Sequence, residues 1–282
     1  MCGSALVPTK MVDHGNGFEG IQAIDTIVHP DMRGKFIFMR MGKLAEEYAA
    51  SRKAMLWGFP NAQAARGWFG RLQWQRTGSV PFLIRPLRSG YVLRRFSALL
   101  GKIDLRLVRR SRAPAGYRNQ FDPLGYDAVW ASIRDSMGVG VDRSGEWMQW
   151  RLARPCADYR YGTVGGEMPV AAAATRTAAK HGGTITYVME AIARPGNEKA
   201  LAGLLKCMIA EECDKGAEVA LAWCPSTSVN YRAYRAAGFL PFPDRYRPIE
   251  IHHGFWVDPL DMALQAHQGS DWYLSYMDSD TV

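Results

Sequence analysis

The chain has 282 residues, of which 48% are hydrophobic and 22% are charged, and its formal net charge is +8 at pH 7. This length is enough for one large domain or two ordinary domains, and the composition excludes an intrinsically disordered chain. No apolar run approaches the ~20 residues of a membrane-spanning helix, and the N-terminus has no signal-peptide or myristoylation pattern, so we expect a cytoplasmic protein.

The cysteines indicate a reducing compartment. They are odd in number and include no C-x-x-C pair, which argues against a disulfide framework and against a zinc site. They are Cys2, Cys156, Cys207, Cys213 and Cys224. His252 and His253 are adjacent but have no third ligand at a convincing spacing. We therefore expect buried thiols and no metal ion.

A predicted β-hairpin opens the chain. Residues 3–12 and 19–28 have the pattern of two strands, and the turn between them contains the Gly and Asn residues that tolerate positive φ. Pro30 then ends the second strand, because proline cannot extend a sheet. Apolar residues recur at helical spacing after it, namely Ile37, Met41, Leu44, Ala45 and Tyr48. This spacing predicts a helix.

The turn between that strand and that helix predicts a phosphate site. It contains Arg33, Gly34 and Lys35, directly before the helix N-terminus. A strand that feeds a helix in this way directs several backbone N–H groups and the positive end of the helix dipole at one point. The two cations add to this field. Such a point suits a phosphate group.

Further elements follow in alternation, and the same order recurs downstream. We predict a strand over residues 54–59, a helix over 62–72 and a strand over 80–86. At a fixed offset of 165, residues 25–30 align with 190–195, residues 45–47 with 210–212, Pro60 with Pro225, and residues 69–74 with 234–239. Strand, helix and turn stay in register without a gap. The sequence therefore predicts two copies of one fold.

The positive charge is concentrated between the two copies. Residues 85–118 carry ten Lys and Arg side chains and one acid, Asp104, so the rest of the chain is almost neutral. Apolar residues fall at helical spacing here, namely Val92, Phe96, Leu99, Leu100, Ile103 and Leu107. We predict a basic amphipathic helix broken at Gly101. It is either a connector with solvated arginines or a contact, through residues 91–112, with an anionic membrane surface; nucleic acid is the least favoured partner.

Two motifs resemble the GNAT (Gcn5-related N-acetyltransferase) superfamily. Residues 28–35 resemble its fourth strand and pyrophosphate loop, whose pattern is R/Q-x-x-G-x-G/A, and residues 33–35 match the Arg-Gly-Lys form. Phe36 replaces the central Gly and Phe38 the final Gly or Ala. A left-handed Phe36 would cost roughly 1–2 kcal/mol. Residues 234–239 are similar to the Tyr-x-x-x-Gly-Phe that ends the fourth GNAT helix, with Asn230 near the usual Asn.

The resemblance covers residues 1–87 and 125–260 and implies an α/β (α+β) fold. Two GNAT-like mixed sheets flanked by helices would be joined by a basic helical connector. We expect an N-terminal GNAT-like domain at residues 1–88, the connector at 89–124 and a degenerate C-terminal copy at 125–282. The first copy lacks the opening strand and helices of the family, so either the chain is truncated or its acceptor side comes from elsewhere.

The resemblance also implies an acyl-CoA-dependent N-acyltransferase. Acetyl-CoA is the expected cosubstrate, and a small-molecule amine or an amino sugar is the expected acceptor. The residues expected to bind the cofactor are Ile27, Val28, Arg33, Gly34, Lys35, Phe36, Ile37, Phe38 and Asn61. Asp25 is the candidate base, which would take the proton directly or through water. Strand alternation puts Asp25, Ile27 and His29 on one face, so Asp25 and His29 would share a cleft.

The second copy offers a different set of groups. Phe69 stands at the position of the usual GNAT tyrosine in the first copy and has no proton to give, so water or another side chain would have to replace the acid there. In the second copy Tyr234 is present and is the candidate acid. Asn197 as an N-cap and Glu198 as a first-turn acid would neutralise the helix N-terminus of the second copy. Structural roles for Asp25 and Tyr234 remain the alternative.

Two other functions are open at this point. A catalytically inactive GNAT pair would act as a binding or scaffold module, which the aromatic side chains of Phe36 and Phe69 favour. An adaptor would instead use the basic segment to reach a membrane or a nucleic acid, and its binding would fall steeply with salt.

Overall fold

The computed structural model describes residues 2–94, 96–155, 157–247, 251–269 and 271–279. Two predicted features, the thiol of Cys156 and the side chain of Arg95 in the basic segment, lie outside the described residues. Of the other cysteines, Cys207, Cys213 and Cys224 are buried free thiols and Cys2 is half-buried.

The chain divides into two compact units, each of which is discontinuous in sequence. Unit 1 comprises Met1–Val80, Met137–Asp142 and Ile249–Tyr273. Unit 2 comprises Pro81–Ser136, Arg143–Pro248 and Leu274–Val282. Both units therefore take segments from the first and the last parts of the chain.

The described residues form the following strands and helices. The strands are β1 (Cys2–Asp13), β2 (Asn16–Val28), β3 (Met55–Gly58), β4 (Gln75–Ser79), β5 (Phe82–Pro86), β6 (Gly140–Val141), β7 (Tyr159–Val164), β8 (Ala171–Lys180), β9 (Gly183–Ala193), β10 (Val219–Trp223), β11 (Leu240–Pro241) and β12 (His252–Trp256). The helices are α1 (Ile37–Ser51), α2 (Ala62–Gly70), α3 (Ser89–Leu93), α4 (Pro123–Arg134), α5 (Gly145–Leu152), α6 (Glu198–Asp214), α7 (Tyr231–Ala236) and α8 (Met262–Gln265).

Unit 1 is built on a six-stranded mixed sheet with the strand order β4-β12-β3-β2-β1-β6. The predicted hairpin is confirmed, because β1 and β2 are antiparallel and His14 and Gly15 turn between them at positive φ. β2 and β3 are parallel, which the intervening helix α1 makes possible. Two helices and the sheet share a buried core of Ile21, Ala45, Ala49, Ala54, Leu56, Trp68, Leu72 and Trp74.

Unit 2 is built on a second six-stranded mixed sheet with the order β11-β5-β10-β9-β8-β7. β9 and β10 are parallel, and the other neighbours are antiparallel. The long helix α6 buries much of its surface, with Leu201, Leu204 and Met208 fully inaccessible to solvent. The predicted fold class, two mixed sheets flanked by helices, is confirmed.

The order of elements is the same in both units. Unit 1 runs β1, β2, α1, β3, α2, β4, and unit 2 runs β8, β9, α6, β10, α7, β11. β2 ends at Val28 and β9 at Ala193, a separation equal to the offset of 165 found in the sequence. That the two copies arose as a tandem repeat stays a prediction.

The predicted domain boundaries at residues 88 and 124 differ from the units of the structure. β5 was expected in the first domain, but it pairs with β10 and β11 in the sheet of unit 2. β12, from the C-terminal part of the chain, lies between β3 and β4 in the sheet of unit 1. A strand joins the sheet whose edge it can pair with, and sequence proximity does not decide which sheet that is.

The predicted amphipathic helix of the basic segment is wrong. Helix α3 is only five residues long, and a short 3-10 turn at Leu100–Lys102 is the only other helical part described between residues 89 and 118. Gly90 approaches the carbonyl of Gly101 so closely that an added Cβ would lie 3.0 Å from its oxygen. The chain therefore folds back on itself at the two glycines, where a continuous helix would have kept them far apart.

None of the helices in the described ranges is both long enough and apolar enough to cross a membrane.

Candidate functional site

A cavity of about 470 Å³ lies in unit 1, where β2 ends and α1 and α2 begin. β3 pairs with β2 only over residues 20–23, and β2 then continues to Val28 with no described strand beside it on that side. β3 thus ends first, at Gly58, while β2 continues, and the carboxyl ends of parallel strands are where ligands bind in sheets of this kind. The lining residues are Thr26, Ile27, Val28, Met32, Arg33, Gly34, Phe36, Ile37, Phe38, Met39, Asn61, Gln63, Ala64, Arg66, Gly67 and Arg71.

A β-bulge at Asp25 shapes the strand that borders this cavity. Ala5 pairs with Ile24 and Gly3 pairs with Ile27, so β2 contains one more residue than β1 at this point. Asp25 takes the left-handed conformation there, with φ of 50°. The predicted alternation is therefore wrong, because the extra residue puts Ile24 and Ile27 on the same face. Asp25 itself is exposed and does not line the cavity.

The N-terminus of α1 faces the cavity with free donors. Gly34 and Phe36 have positive φ, at 77° and 59°, and the first hydrogen bond of the helix runs from Arg40 N to Phe36 O. Phe36 occupies the N-cap position and its side chain offers no oxygen. The four backbone N–H groups of residues 36–39 find no acceptor among the described residues. This turn is a nest of donors at the positive end of a helix.

The N-terminus of α2 also borders the cavity, but it is already capped. The side-chain oxygen of Asn61 accepts from the backbone N–H groups of Gln63 at 3.1 Å and Ala64 at 2.9 Å. Asn61 lies at the cavity as expected, but its oxygen is occupied by the cap. Of the two helix N-termini, the one on α1 is the one that can receive an anion.

The two phenylalanines that replace glycines are accommodated differently. Phe36 is 69% exposed and bears the left-handed strain that the sequence suggested. Phe38 packs edge-on against Trp68 at 5.2 Å and fills the space above Gly67, where a Cβ would lie 2.2 Å from the ring. Phe38 is therefore compensated by a small residue on α2, whereas Phe36 is not compensated.

The electrostatics of the cavity are one-sided. Arg33, Arg66 and Arg71 line it, are exposed, and have no carboxylate partner in the described ranges. No acidic side chain is among the lining residues of this part of the structure. Lys35 lies in the same turn but does not line the cavity. A concave surface with three cations and free N–H donors attracts a multiply charged anion.

Tyr234, the predicted acid, lies in the core of unit 2. Its ring packs edge-on against Phe239 at 5.4 Å, and its exposed fraction is 2%. Burial raises the pKa of Tyr234 well above its ordinary value. It is not among the residues that line the cavity of unit 1.

Glu190, the equivalent of Asp25, is also a core residue of unit 2. Its carboxylate lies 2.6 Å from Arg143 Nε and accepts a hydrogen bond from the Ser275 hydroxyl at 3.1 Å. Asp278 lies 2.5 Å from the same guanidinium. The side chains of Arg143, Glu190 and Asp278 are almost completely buried. We interpret them as a structural ion-pair cluster.

Most of the predicted cofactor residues do meet at the cavity. Apart from Lys35, all of them line it. The lining also includes residues that were not expected, among them Gln63, Ala64, Arg66 and Gly67 on α2 and Arg71 directly after it. Gln63, Gly67 and Arg71 recur at intervals of four, which is the spacing of one helix face, and this signal could have identified them. In the described ranges, no cluster of His, Cys, Asp and Glu is suited to hold a metal ion.

Solved structures of other proteins share this fold. No protein-family model and no curated protein matches the sequence. A GCN5-related N-acetyltransferase from Anabaena variabilis matches 90% of the chain with a TM-score of 0.62 at 10% identity. The Saccharomyces cerevisiae N-myristoyltransferase with bound myristoyl-CoA also matches 90%, with a TM-score of 0.59 at 9% identity. An Enterococcus faecalis protein described as a probable N-acyltransferase matches 88%, with a TM-score of 0.56 at 12% identity.

The chain thus has the fold of the GCN5-related N-acetyltransferases. It spans only 59%, 66% and 57% of the lengths of these three proteins.

Proposed function

We propose that unit 1 binds the diphosphate of an acyl-CoA at the N-terminus of α1, and that this chain with a GNAT fold is an acyl-CoA-dependent N-acyltransferase. One observation carries the proposal. Four uncapped backbone N–H groups meet a cavity lined by three unpaired arginines and, among the described residues, by no acid. A diphosphate has the charge and the acceptor oxygens that match this surface.

The remainder of the cofactor would follow the free edge of β2. Beyond Ala23, β2 has no described strand beside it on the cavity side, and residues 26–28 line the cavity. The amides of a pantetheine arm can pair with such an edge as an added strand does. The thioester would then lie near the bulge at Asp25.

The reaction transfers the acyl group to an amine. The amine nitrogen attacks the thioester carbonyl carbon, the carbon–sulfur bond breaks, and the amine loses a proton. A backbone N–H on the free edge of β2 would donate to the carbonyl oxygen as negative charge develops on it. Asp25 adjoins cavity-lining Thr26 in sequence and is the proposed acceptor of the amine proton. Water would protonate the thiolate, since Phe69 has no proton and Tyr234 is buried.

We propose acetyl-CoA as the cosubstrate and a small-molecule amine or an amino sugar as the acceptor, as the family resemblance implies. Two of the matched proteins are described with different acyl groups, one as an N-acetyltransferase and one with bound myristoyl-CoA. The length of the acyl chain is therefore the first property that an experiment should compare.

Calorimetric titration with CoA, acetyl-CoA and myristoyl-CoA tests the proposal. We expect CoA, acetyl-CoA and myristoyl-CoA all to bind with dissociation constants on the order of 1 μM, because they share the diphosphate. A preference among the three would identify the acyl group. Release of free thiol in the presence of a panel of amines and amino sugars would then report transfer. If the folded chain binds none of the three, the proposal is wrong.

A catalytically inactive binding module is the second candidate. It is favoured because neither candidate position can supply the proton that the leaving thiolate needs. Phe69 has no hydroxyl, and the side chain of Tyr234 is buried in unit 2. Binding of CoA with no thiol release from any acyl-CoA and amine pair would support this candidate over the enzyme.

A further inference from the structure

The segment that follows β5 in unit 2 exposes a group of large apolar side chains. We call residues 92–107 the apolar loop. Its exposed members are Val92, Phe96, Leu99, Leu100, Ile103, Leu105 and Leu107. Phe96 is 78% exposed and Leu99 is 74% exposed. Single exposed apolar residues are ordinary, but so many within one short segment indicate a contact surface.

The base of the apolar loop is closed by hydrogen bonds. The Ser89 hydroxyl donates to Ile103 O at 2.7 Å and accepts from Leu105 N at 2.8 Å. Leu107 N donates to Leu87 O at 2.8 Å, which ties the end of the loop to the end of β5. The apolar side chains are therefore presented by a closed and hydrogen-bonded segment.

The charges around the apolar loop are only partly neutralised within unit 2. The internal ion pairs are Arg88 with Asp104, Arg94 with Glu218 and Arg106 with Asp214. Lys102, Arg109 and Arg112 are exposed and have no carboxylate partner in the described part of the chain. The loop and the residues that follow it thus combine exposed apolar side chains with exposed cations that have no carboxylate partner in the described part of the chain.

We propose that the apolar loop docks on an anionic lipid bilayer, with Phe96 and Leu99 inserted among the acyl chains. Lys102, Arg109 and Arg112 would then lie at the level of the anionic headgroups. A nucleic acid has no apolar phase to bury five leucine and isoleucine side chains, and it would need the arginines that are already paired. Protein–protein interfaces are enriched in aromatic side chains, whereas Phe96 is the one aromatic residue in the sequence of this loop. None of the exposed apolar residues of this loop is among the lining residues of the cavity of unit 1.

Co-sedimentation with vesicles tests the proposal on the full chain. Vesicles of phosphatidylcholine alone are compared with vesicles that also contain phosphatidylglycerol, at low and at high salt. We expect binding to the anionic vesicles that weakens as salt rises. Changing Lys102, Arg109 and Arg112 to Gln should weaken it by about fivefold per residue and flatten the salt dependence.

Two pairs of substitutions separate insertion from general surface effects. Phe96→Ser with Leu99→Ser should weaken binding to anionic vesicles by at least about tenfold. The matched control is Leu260→Ser with Met262→Ser, two side chains of unit 1 that are 88% and 79% exposed. The control should bind as the unchanged chain does. All four positions are exposed, so melting temperatures should stay the same and folding should not confuse the result.

Three results would overturn the proposal. They are no binding to anionic vesicles by the folded chain, unchanged binding in the Phe96 and Leu99 variant, and equal binding to neutral vesicles at all salt concentrations. Two others would reassign the surface. A dimer in size-exclusion chromatography that the same variant breaks would assign it to a second copy of the chain. Tighter binding to DNA or RNA than to vesicles, lost in the Gln variant, would assign it to nucleic acid.

Discussion

The helices α1 and α6 follow equivalent strands, but their N-termini differ in charge. The turn before α1 contains Arg33 and Lys35, and the first turn of α1 has no acid. The first turn of α6 contains Glu198, whose carboxylate accepts from Gly196 N at 3.3 Å. Asn197 occupies the N-cap position as predicted, but its side chain makes no capping bond. α6 supplies its own anion, whereas the N-cap residue of α1 offers its donors no side-chain acceptor.

The strands before these two helices also differ, because β2 presents an exposed acid and β9 a buried one. Asp25 on β2 is exposed at a bulge, whereas Glu190 on β9 is buried beside Arg143. The equivalent residues Phe69 and Tyr234 differ as well, because Phe69 has no hydroxyl, whereas Tyr234 has one but is buried in the core of unit 2. One backbone pattern can thus serve as a candidate ligand site in unit 1 and as a closed structural core in unit 2. Charge and burial distinguish the two.

Removing the guanidinium from the core of unit 2 should have the largest effect. Arg143→Met removes the guanidinium that pairs with the buried carboxylates of Glu190 and Asp278, and we expect the free energy of unfolding to fall by about 3–5 kcal/mol. Urea unfolding measures it. Arg232→Met, at an exposed position on α7, is the control and should change it by less than about 0.5 kcal/mol.

A second variant sharpens this test. Arg143→Met combined with Glu190→Gln and Asp278→Asn removes the uncompensated charges as well, so it should recover much of the lost stability. An equal loss in the single and triple variants would show that the packing of the Arg143 side chain matters and the ion pairs do not.

Making α1 resemble α6 should abolish binding at the cavity. Arg33→Glu puts a carboxylate at the position equivalent to Glu198, where it would compete with the diphosphate for the N–H groups. We expect affinity for CoA to fall by about a hundredfold in calorimetry. Lys199→Glu makes the same charge change at an exposed site on α6 and should leave affinity unchanged. Equal losses in both variants would point to net charge as the cause.

The buried cluster of unit 2 should also give stability a pH dependence. Burial raises the pKa of Asp278 to about 6, from an ordinary value of 3.8. Because the folded state then holds the proton more tightly, the contribution of this group to the free energy of unfolding falls as pH rises from about 4 to about 6. The fall is about 2 kcal/mol and should be absent in Asp278→Asn. Urea unfolding of both proteins between pH 4 and 7 measures it, and parallel curves would contradict it.

Phe36 should show the smallest effect. Phe36→Gly removes a left-handed side chain, which favours the folded state by roughly 1–2 kcal/mol, but glycine also gains entropy in the unfolded state. We expect a net gain of up to about 1 kcal/mol and no loss of CoA affinity. Phe38→Gly should instead destabilise unit 1, because it removes the packing against Gly67 and Trp68. Destabilisation by both variants would show that Phe36 also packs.

Local features of the candidate site could be read from the sequence because they depend on neighbours along the chain. The hairpin, the helix that begins at Ile37 and the cationic turn at residues 33–35 follow from turn chemistry and apolar spacing. The left-handed strain at Phe36 was suggested by a family pattern in which glycine is usual.

Features that depend on contacts between distant segments could not be read in this way. The bulge at Asp25 arises from the pairing of β1 with β2, and an alternation rule has no means to detect an extra residue. Helical spacing in the basic segment predicted a helix, whereas the bonds from Ser89 to residues 103 and 105 close a loop. Local propensity yields to such contacts.

The sequence by itself determined the order of elements, the repetition at an offset of 165 and the positive charge before α1, because these are properties of residue types and their spacing. Only the tertiary structure decided that β5 joins unit 2 and β12 joins unit 1, that Tyr234 is buried, and that Arg66 and Arg71 line the same cavity as Arg33. Sheet pairing and burial depend on the surfaces that distant segments present to each other, and one stretch of sequence does not contain that information.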